Sequence, residues 1–435
     1  MGNSFISVSD DAEAAVFNPA GLALVRKMEV SGGIDYQKYS NSTTFMNQLS
    51  NNTNSKTDLG QFAFVLPFPT YRGSFAVGLS YNQAKNFSGA LKFDGFNSNS
   101  SFISHLAAYG SNTDLDRLYY LNLASAGGST ALQNRLRQYG TVLDDGLLDS
   151  WDFSASLEVE RNFYVGATLG ILSGSYTSDF VLNEADSRGL YTNVAADPTD
   201  AANTTGFLNW RYQSNLKWDI TGIAFKLGLL YQFDHYGRFG ATITFPKTYT
   251  VKEDYTTIAQ SKFTAGVTQP YETNPYHQEY DITTPYEFAV GGSINMSGLL
   301  VSADVTYIDY AHSEIGNASK LLESDVSNIN SDAKIYLQDV FNYNLGAEYT
   351  FPTAGFRLRA GYFAQQSPYS GDPSSFTRKY VTGGFGFLIE NSITVDVALA
   401  HGTWSTIGDN YGSNESRTYQ DITDNKFIMS FSYRF

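Results

Sequence analysis

The sequence predicts an all-β fold, a transmembrane antiparallel β-barrel of about fourteen strands. Three observations predict it: a period-two alternation that recurs along the chain, connections that are alternately short and long, and a composition rich in aromatics but poor in charge. Tyr and Phe each occur 31 times in 435 residues; aromatics reach 15% while charged residues make up only 16%. An average globular domain carries about 25% charged residues. Mean hydropathy is nevertheless -0.26, and no apolar run reaches the roughly 18 residues that a spanning helix needs. Apolar residues that are plentiful but dispersed suit a wall with lipid on one face and a polar lumen on the other.

In chain order, residues 1–27 come before any alternation. They are short, alanine-rich and end in Asn18-Pro19-Ala20-Gly21-Leu22-Ala23, where Asn-Pro is a turn initiator. Such a segment ahead of a barrel can fold back into the lumen as a hatch, so the chain divides into a hatch (1–27) and a barrel (28–435). The first residues, Met1-Gly2-Asn3-Ser4-Phe5, lack both a charged leader and a long apolar core. Export requires a leader, so either it has been removed or the chain starts at an internal methionine, with the hatch truncated at its start.

The barrel segments follow. Phe75, Val77, Leu79 and Tyr81 alternate with Ala76, Gly78, Ser80 and Asn82; Phe163, Val165, Ala167, Leu169 and Ile171 alternate with small residues. Ile223, Phe225, Leu227, Leu229, Tyr231 and Phe233 share a face opposite Lys226 and Gly228. Phe356, Leu358, Ala360 and Tyr362 do so opposite Arg357 and Arg359, and the chain closes on Phe427, Met429, Phe431, Tyr433 and Phe435. One such segment fits a half-buried strand of a soluble sandwich, but so many exceed what a sandwich carries. Short turns fall at 69–72, 161–162, 234–237, 297–298, 352–355 and 390–391. Long links fall near 41–56, 88–149, 183–206, 255–281, 315–338, 367–377 and 404–423. Short turns on one side and long loops on the other is the asymmetry of bacterial outer-membrane barrels. Six turns and seven links make fourteen strands. Aromatics gather on the short-turn side (Phe68, Tyr71, Phe163, Tyr164, Phe233, Tyr236, Phe351, Phe435), where amphipathic rings sit at head-group level.

The 88–149 link is longer than a hairpin needs, and long loops of this kind are usually functional or disordered. Leu106, Tyr109, Leu115, Leu118, Tyr119 and Leu121, with Leu132, Leu136 and Tyr139 beyond them, give it helix-like apolar stripes. These residues either pack the loop onto the barrel mouth or form a landing site for a hydrophobic ligand. Charges on the face opposite the aromatic one include Lys226, Arg357 and Arg359. A lipid-facing Arg or Lys at mid-depth costs roughly 2–4 kcal/mol, so they belong to the lumen. There they are solvated or paired, or they hold a plug or bind a carboxylate head group.

Other chemistries are not written here. With no cysteine, disulfides and thiolate metal sites are excluded. His105, His235, His277, His312 and His401 stand on separate segments without metal-ligand spacing, and no cofactor motif, nucleophile elbow or phosphate loop occurs. The expectation is therefore no metal, no cofactor and no enzyme. A net charge of -15 argues against nucleic acid as a partner. Acidic outer loops would instead meet divalent cations at a lipopolysaccharide surface, with outer-membrane lipid around the wall.

The chain resembles the long-chain fatty-acid transporter family of FadL type. Asp10-Asp11-Ala12-Glu13-Ala14-Ala15-Val16-Phe17-Asn18-Pro19-Ala20-Gly21-Leu22-Ala23 is similar to the family's Asn-Pro-Ala segment. The stretch from Thr221-Gly222 to Phe245-Pro246-Lys247 is like its central hairpin. Phe356 to Tyr362, Ser367-Pro368, Val395 to Ala398 and His401-Gly402 complete the likeness, which spans nearly the whole chain. The resemblance implies a monomeric fourteen-stranded barrel plugged by an N-terminal hatch, located in the bacterial outer membrane. It implies passive uptake of hydrophobic small molecules, fatty acids or hydrocarbons, captured by outer loops and released laterally near the third strand. Because the family also includes proteins that serve secretion machines, a docking barrel for a secretion or assembly partner is the alternative. A general porin is a third reading, weakened by the Asn-Pro-Ala segment and the apolar loop.

Overall fold

Strands form where the sequence alternates, and they run on well past the point where alternation stops. The computed structural model describes all residues except His235, Gln269, Pro352, Thr353, Ala354, Asn391 and Ser413. Parts of the expected turns at 234–237, 352–355 and 390–391, and one of the five histidines, therefore lie outside the described residues. The barrel strands are β1 (Glu29–Phe45), β2 (Gln48–Phe68), β3 (Phe75–Asn86, continuing as Gly89–Asn97), β4 (Leu136–Glu160) and β5 (Phe163–Ala185). They continue with β6 (Phe207–Phe233), β7 (Gly237–Thr244 and Thr248–Phe263), β8 (Tyr276–Thr283 and Glu287–Met296) and β9 (Leu299–Asp309 and Glu314–Gly316). The set ends with β10 (Asp339–Phe351), β11 (Phe356–Gln365), β12 (Arg378–Ile389), β13 (Ile393–Asp409) and β14 (Arg417–Arg434). Each pairs antiparallel with the next, and β1 pairs with β14 from Glu29↔Arg434 to Phe45↔Thr418. That last ladder closes a fourteen-stranded barrel and leaves it without a free edge strand.

The lipid-facing belt is read from exposure. On β6, Ile223, Phe225, Leu227, Leu229, Tyr231 and Phe233 all point outward and are exposed. Their span matches the roughly 9–11 tilted residues that cross a bilayer. Beyond Ile223 the outward residues of the same strand become Thr221, Asp219 and Lys217. Yet β4, β5 and β6 are 25, 23 and 27 residues long, so their outer halves stand above the bilayer.

This explains how the long links differ from expectation. The 41–56 link is a continuous hairpin, β1 and β2 turning at Met46-Asn47, both with positive φ. The 88–149 link shrinks to 98–135, because Gly89–Asn97 and Leu136–Glu160 are paired strands. Leu136 and Tyr139 are therefore strand residues and belong to no helical stripe. Most of the remaining links also shorten, to 186–206, 264–275 and 410–416 among others, whereas the expected 367–377 link runs 366–377. Above the membrane water wets both faces of a strand, so outward residues turn polar and the period-two signal vanishes while the ladder continues.

Two local breaks interrupt the wall. Pro246 and Pro285 sit in facing gaps of β7 and β8, next to the pair Thr244↔Glu287; neither can donate a ladder hydrogen bond. The second break is at β3. Its ladder with β2 ends at Gln61↔Asn82, and its register against β4 slips between Gln83 and Lys85.

Residues before β1 occupy the lumen. A short helix α1 (Ala14–Phe17) leads into a 3-10 turn over Pro19–Leu24. Ala12, Ala14, Leu22 and Val25 pack on Ala63, Val65 and Ala76 of the wall, and Ala20 and Ala23 pack on Tyr164 and Leu230. The largest apolar core lies at the outer mouth. There α2 (Phe102–Tyr109) and α3 (Asn112–Tyr120) form a lid over the tall strands. The other helices are α4 (Ala201–Thr204) and α5 (Glu323–Tyr336), both in outer loops.

Candidate functional site

The N-terminal segment in the lumen is held by its own Asn-Pro-Ala stretch. Asn18 is fully buried; its Nδ2 donates to the carbonyls of Ile6 (2.8 Å) and Leu229 (2.9 Å), and its Oδ1 accepts from Ala20 N at 3.2 Å. One side chain thus closes the 3-10 turn, ties the hatch to itself and ties it to β6. Pro19 follows at the first helical position, where no N–H is needed. Wall side chains reach inward to hatch carbonyls: Ser156 Oγ to Ala20 O at 2.8 Å and Thr168 Oγ1 to Ala15 O at 2.9 Å. Lys226 Nζ donates to Val16 O. Such close approach needs a wall without side chains at the contact. A Cβ on Gly228 would lie 2.1 Å from Asn18 Oδ1, and one on Gly166 would lie 2.4 Å from the Pro19 carbonyl carbon. Asn18, Pro19 and Ala20, singled out from the sequence, lie where the N-terminal segment meets the wall.

Above the hatch lies a cavity of about 740 Å³. Its hatch side is Val16 and Phe17, and its walls carry Lys85, Lys226 and Arg378. Lys85 comes from the slipped register of β3. Arg378 stacks on the Trp404 ring at 5.0 Å. None of these three cations forms an ion pair among the described residues, and of the cavity's two carboxylates one does. Glu287 takes Lys247 at 2.7 Å, and Asp372 accepts from Ser367 Oγ at hydrogen-bond distance. Polar side chains such as Asn342, Asn344, Gln365 and Thr244 complete the lining, so this passage is not purely apolar.

Of the other two lumen cations named from sequence, Arg359 is neutralised. Its guanidinium bonds Glu348 Oε2 at 2.6 Å and also reaches Asp396 Oδ1. Arg357 faces a second cavity of about 1010 Å³ on the short-turn side, with Arg26 and Arg161. The structure therefore brings only Lys226 to the upper cavity, beside Lys85 and Arg378. Those two cannot be recognised from local pattern, because the lumen gathers them from β3 and β12.

At the outer mouth a groove of about 420 Å³ is lined by Phe102, His105, Leu106, Phe180, Tyr212 and Tyr411. Phe102 stacks on Tyr411 at 5.3 Å and meets Tyr212 edge-on at 5.2 Å. Of the six landing-site residues expected from the loop, Leu106 lines this groove. Leu118 and Leu121 are fully buried in the lid core, Tyr109 and Tyr119 are exposed to solvent, and Leu115 is half-buried. The helical stripe serves mainly to pack the lid. The groove's aromatic residues, Tyr255 of β7 among them, come from five distant segments, beyond the reach of periodicity. One local signal was present: Ser101 with Ser104 and Ser111 with Asp114 are capping boxes that start the two helices.

Where β2 and β3 part, the wall is stitched by side chains. Asn52 Nδ2 donates to Leu91 O at 3.3 Å, Asn54 Nδ2 to Asp144 O at 3.2 Å, and Lys56 pairs with Asp145 at 2.8 Å. The seam starts at the outer edge of the lipid belt, near the exposed Leu59 and Phe62. Ala84 and Lys85, beside it, line the upper cavity.

Comparison with known proteins agrees with this architecture. A family model described as outer membrane protein transport protein (OMPP1/FadL/TodX) matches residues 145–435. Among solved structures, the P. putida toluene transporter TodX is 14% identical with a TM-score of 0.56, covering 98% of this chain and 94% of that one. A Pseudomonas aeruginosa FadL homologue is 12% identical with a TM-score of 0.57, covering 100% and 96%. The Ralstonia pickettii toluene transporter TbuX is 18% identical with a TM-score of 0.52, covering 100% and 96%. At these identities the likeness is one of fold. No curated protein matches the chain.

Proposed function

The chain belongs to the outer membrane protein transport family (OMPP1/FadL/TodX) of channels for hydrophobic compounds, and from that premise we propose that its ligands are amphiphiles with an anionic head, long-chain fatty acids before neutral hydrocarbons. One observation carries the reading: Lys85, Lys226 and Arg378 face one cavity with no ion-pair partner among the described residues, while Glu287 in the same wall is paired with Lys247. A carboxylate there would make charge-assisted hydrogen bonds that a hydrocarbon cannot make. The apolar tail would be captured first in the outer groove of Phe102, Leu106 and Tyr411. Release would be lateral, at the β2–β3 seam, into the outer edge of the bilayer. The protein acts as a single chain and without energy coupling.

The test is uptake of a labelled long-chain fatty acid and of an alkylbenzene in cells lacking their own transporter. Replacing Lys85 and Arg378 with Met should lower apparent fatty-acid affinity by ~10–100-fold, the equivalent of one lost charge-assisted bond. Alkylbenzene uptake should not change. Equal losses for both ligands would defeat the head-group reading. The second reading, docking of a secretion or assembly partner, has one observation in its favour. Leu322, just before α5, and Ile329 and Tyr336 within it are exposed apolar residues, of the kind that marks a partner contact when clustered. Serine at all three should then abolish the partner's function and leave uptake intact.

A further inference from the structure

The lipid belt has an upper edge, and on four neighbouring strands its chemistry can be followed residue by residue. The outward residues of β1 run Ile34, Tyr36, Lys38 toward the outside, and those of β14 run Met429, Phe427, Asn425. On β13 Leu399 is followed by His401, and on β12 Val381 is followed by Lys379. Directly paired residues share a face, and the ladders set Tyr36 beside Phe427 and Leu399, Lys38 beside Asn425 and His401, and Lys379 beside Thr403. The first polar outward positions above the belt are therefore Lys38, Asn425, His401 and Lys379. Strand spacing and rise put the Cα atoms of the two lysines about 16 Å apart on the sheet. Both are exposed, and neither has a hydrogen bond or ion pair among the described residues. Elsewhere on the outer wall lysines are neutralised, Lys217 by Asp219 at 2.9 Å and Lys252 by Glu279 at 3.8 Å. The next outward carboxylate on β14, Asp421, stands further out and accepts from Ser405 Oγ at 2.7 Å. A chain of net charge -15 thus presents two uncompensated cations at head-group level.

We propose that this contour binds the lipid A part of lipopolysaccharide, Lys38 and Lys379 each taking one of its two phosphates. Lipid A is a two-sugar core with a phosphate at each end and acyl chains beneath. Two cations this far apart do not converge on one small anion, but they bracket an anion charged at both ends. Lysine suits the place, because its stem lies along apolar surface while its ammonium reaches the head-group layer, where a phosphate makes charge-assisted hydrogen bonds. Between the lysines, Asn425 Oδ1 accepts from His401 Nδ1 at 2.7 Å. That leaves His401 Nε2 and the hydroxyls of Thr403 and Thr423, which have no partner among the described residues, for the sugars. Below them Tyr36, Leu399 and Val381 are exposed and meet the acyl chains. A glycerophospholipid with one phosphate and no sugar ring uses only one end of this row. The site needs no movement of the barrel and no transported ligand, so it stands apart from the transport reading.

The test is binding of three lipids to the purified barrel in detergent, read by native mass spectrometry: diphosphoryl lipid A, monophosphoryl lipid A and phosphatidylglycerol. A chelator is present throughout, so that divalent bridges to acidic side chains do not contribute. Diphosphoryl lipid A should bind ~10-fold more tightly than the monophosphoryl form, the equivalent of one charge-assisted bond. K38Q/K379Q should lower diphosphoryl affinity ~100-fold and remove the preference for the second phosphate. K217Q, at a lysine already paired with Asp219, should change nothing. Heat-modifiable migration on gels checks that every barrel is folded. Unchanged diphosphoryl affinity in K38Q/K379Q, or an equal loss in K217Q, would overturn the site. So would phosphatidylglycerol binding as tightly as diphosphoryl lipid A, or the two lipid A forms binding alike.

Discussion

Replacing Asn18 with Ala should free the hatch without touching the barrel. The substitution removes three hydrogen bonds at once, to Ile6 O, Leu229 O and Ala20 N, at 2.8, 2.9 and 3.2 Å. Each such bond contributes about 1 kcal/mol net, so the docked hatch should lose about 2–4 kcal/mol. That corresponds to roughly a 30- to 1000-fold rise in the undocked population. No wall residue loses a ladder bond, because Asn18 contributes none. A cysteine placed at Ala23, fully buried against Tyr164 and Leu230, reports the change through its maleimide labelling rate in detergent. The expected result is a rate increase of that order in N18A/A23C over A23C, with unchanged heat-modifiable migration. An increase below threefold would refute the assignment of Asn18 as the main anchor and shift the weight to the wall hydroxyls of Ser156 and Thr168.

Gly228→Val should have a similar effect from the wall side, since even a Cβ there lies 2.1 Å from Asn18 Oδ1; the check is raised ion conductance in planar bilayers with an intact barrel. Leu118→Ser should cost the lid about 2–5 kcal/mol as a core truncation and expose residues 98–135 to protease. Tyr119→Ser, at a position that is 57% exposed, should leave both protection and uptake unchanged. Arg359→Gln should strand Glu348 and Asp396 near one another and lower the barrel's unfolding temperature, read by gel migration after stepwise heating.

Much of the fold was legible in the chain because lipid writes a pattern. Ile223 to Phe233 and Phe427 to Phe435 must alternate, since one face meets hydrocarbon and the other a wet lumen. Tight turns such as Arg161-Asn162 and Ser297-Gly298 carry their own signal in residues that tolerate positive φ. The hatch motif was legible for a similar reason. Asn18-Pro19 encodes a turn start locally, whatever it later touches.

The structure decided everything that depends on water or on distant neighbours. The outer halves of β4, β5 and β6 are strands whose outward residues meet solvent, so hydropathy does not mark them and the loops looked longer than they are. The leucines of α3 could equally have faced a ligand or a core; only the packing of Phe207, Trp210 and Leu132 around them made Leu118 and Leu121 core residues. Likewise Lys226, Arg357 and Arg359 are equivalent as letters on a lumen face. Ladder register places Arg359 beside Glu348 and Asp396, while barrel closure places Lys226 in the cavity with Lys85 and Arg378. Alternation is a property of one strand against its solvent and can be read from one strand. A binding site is a property of side chains brought together across a closed sheet, and that is settled only when the sheet closes.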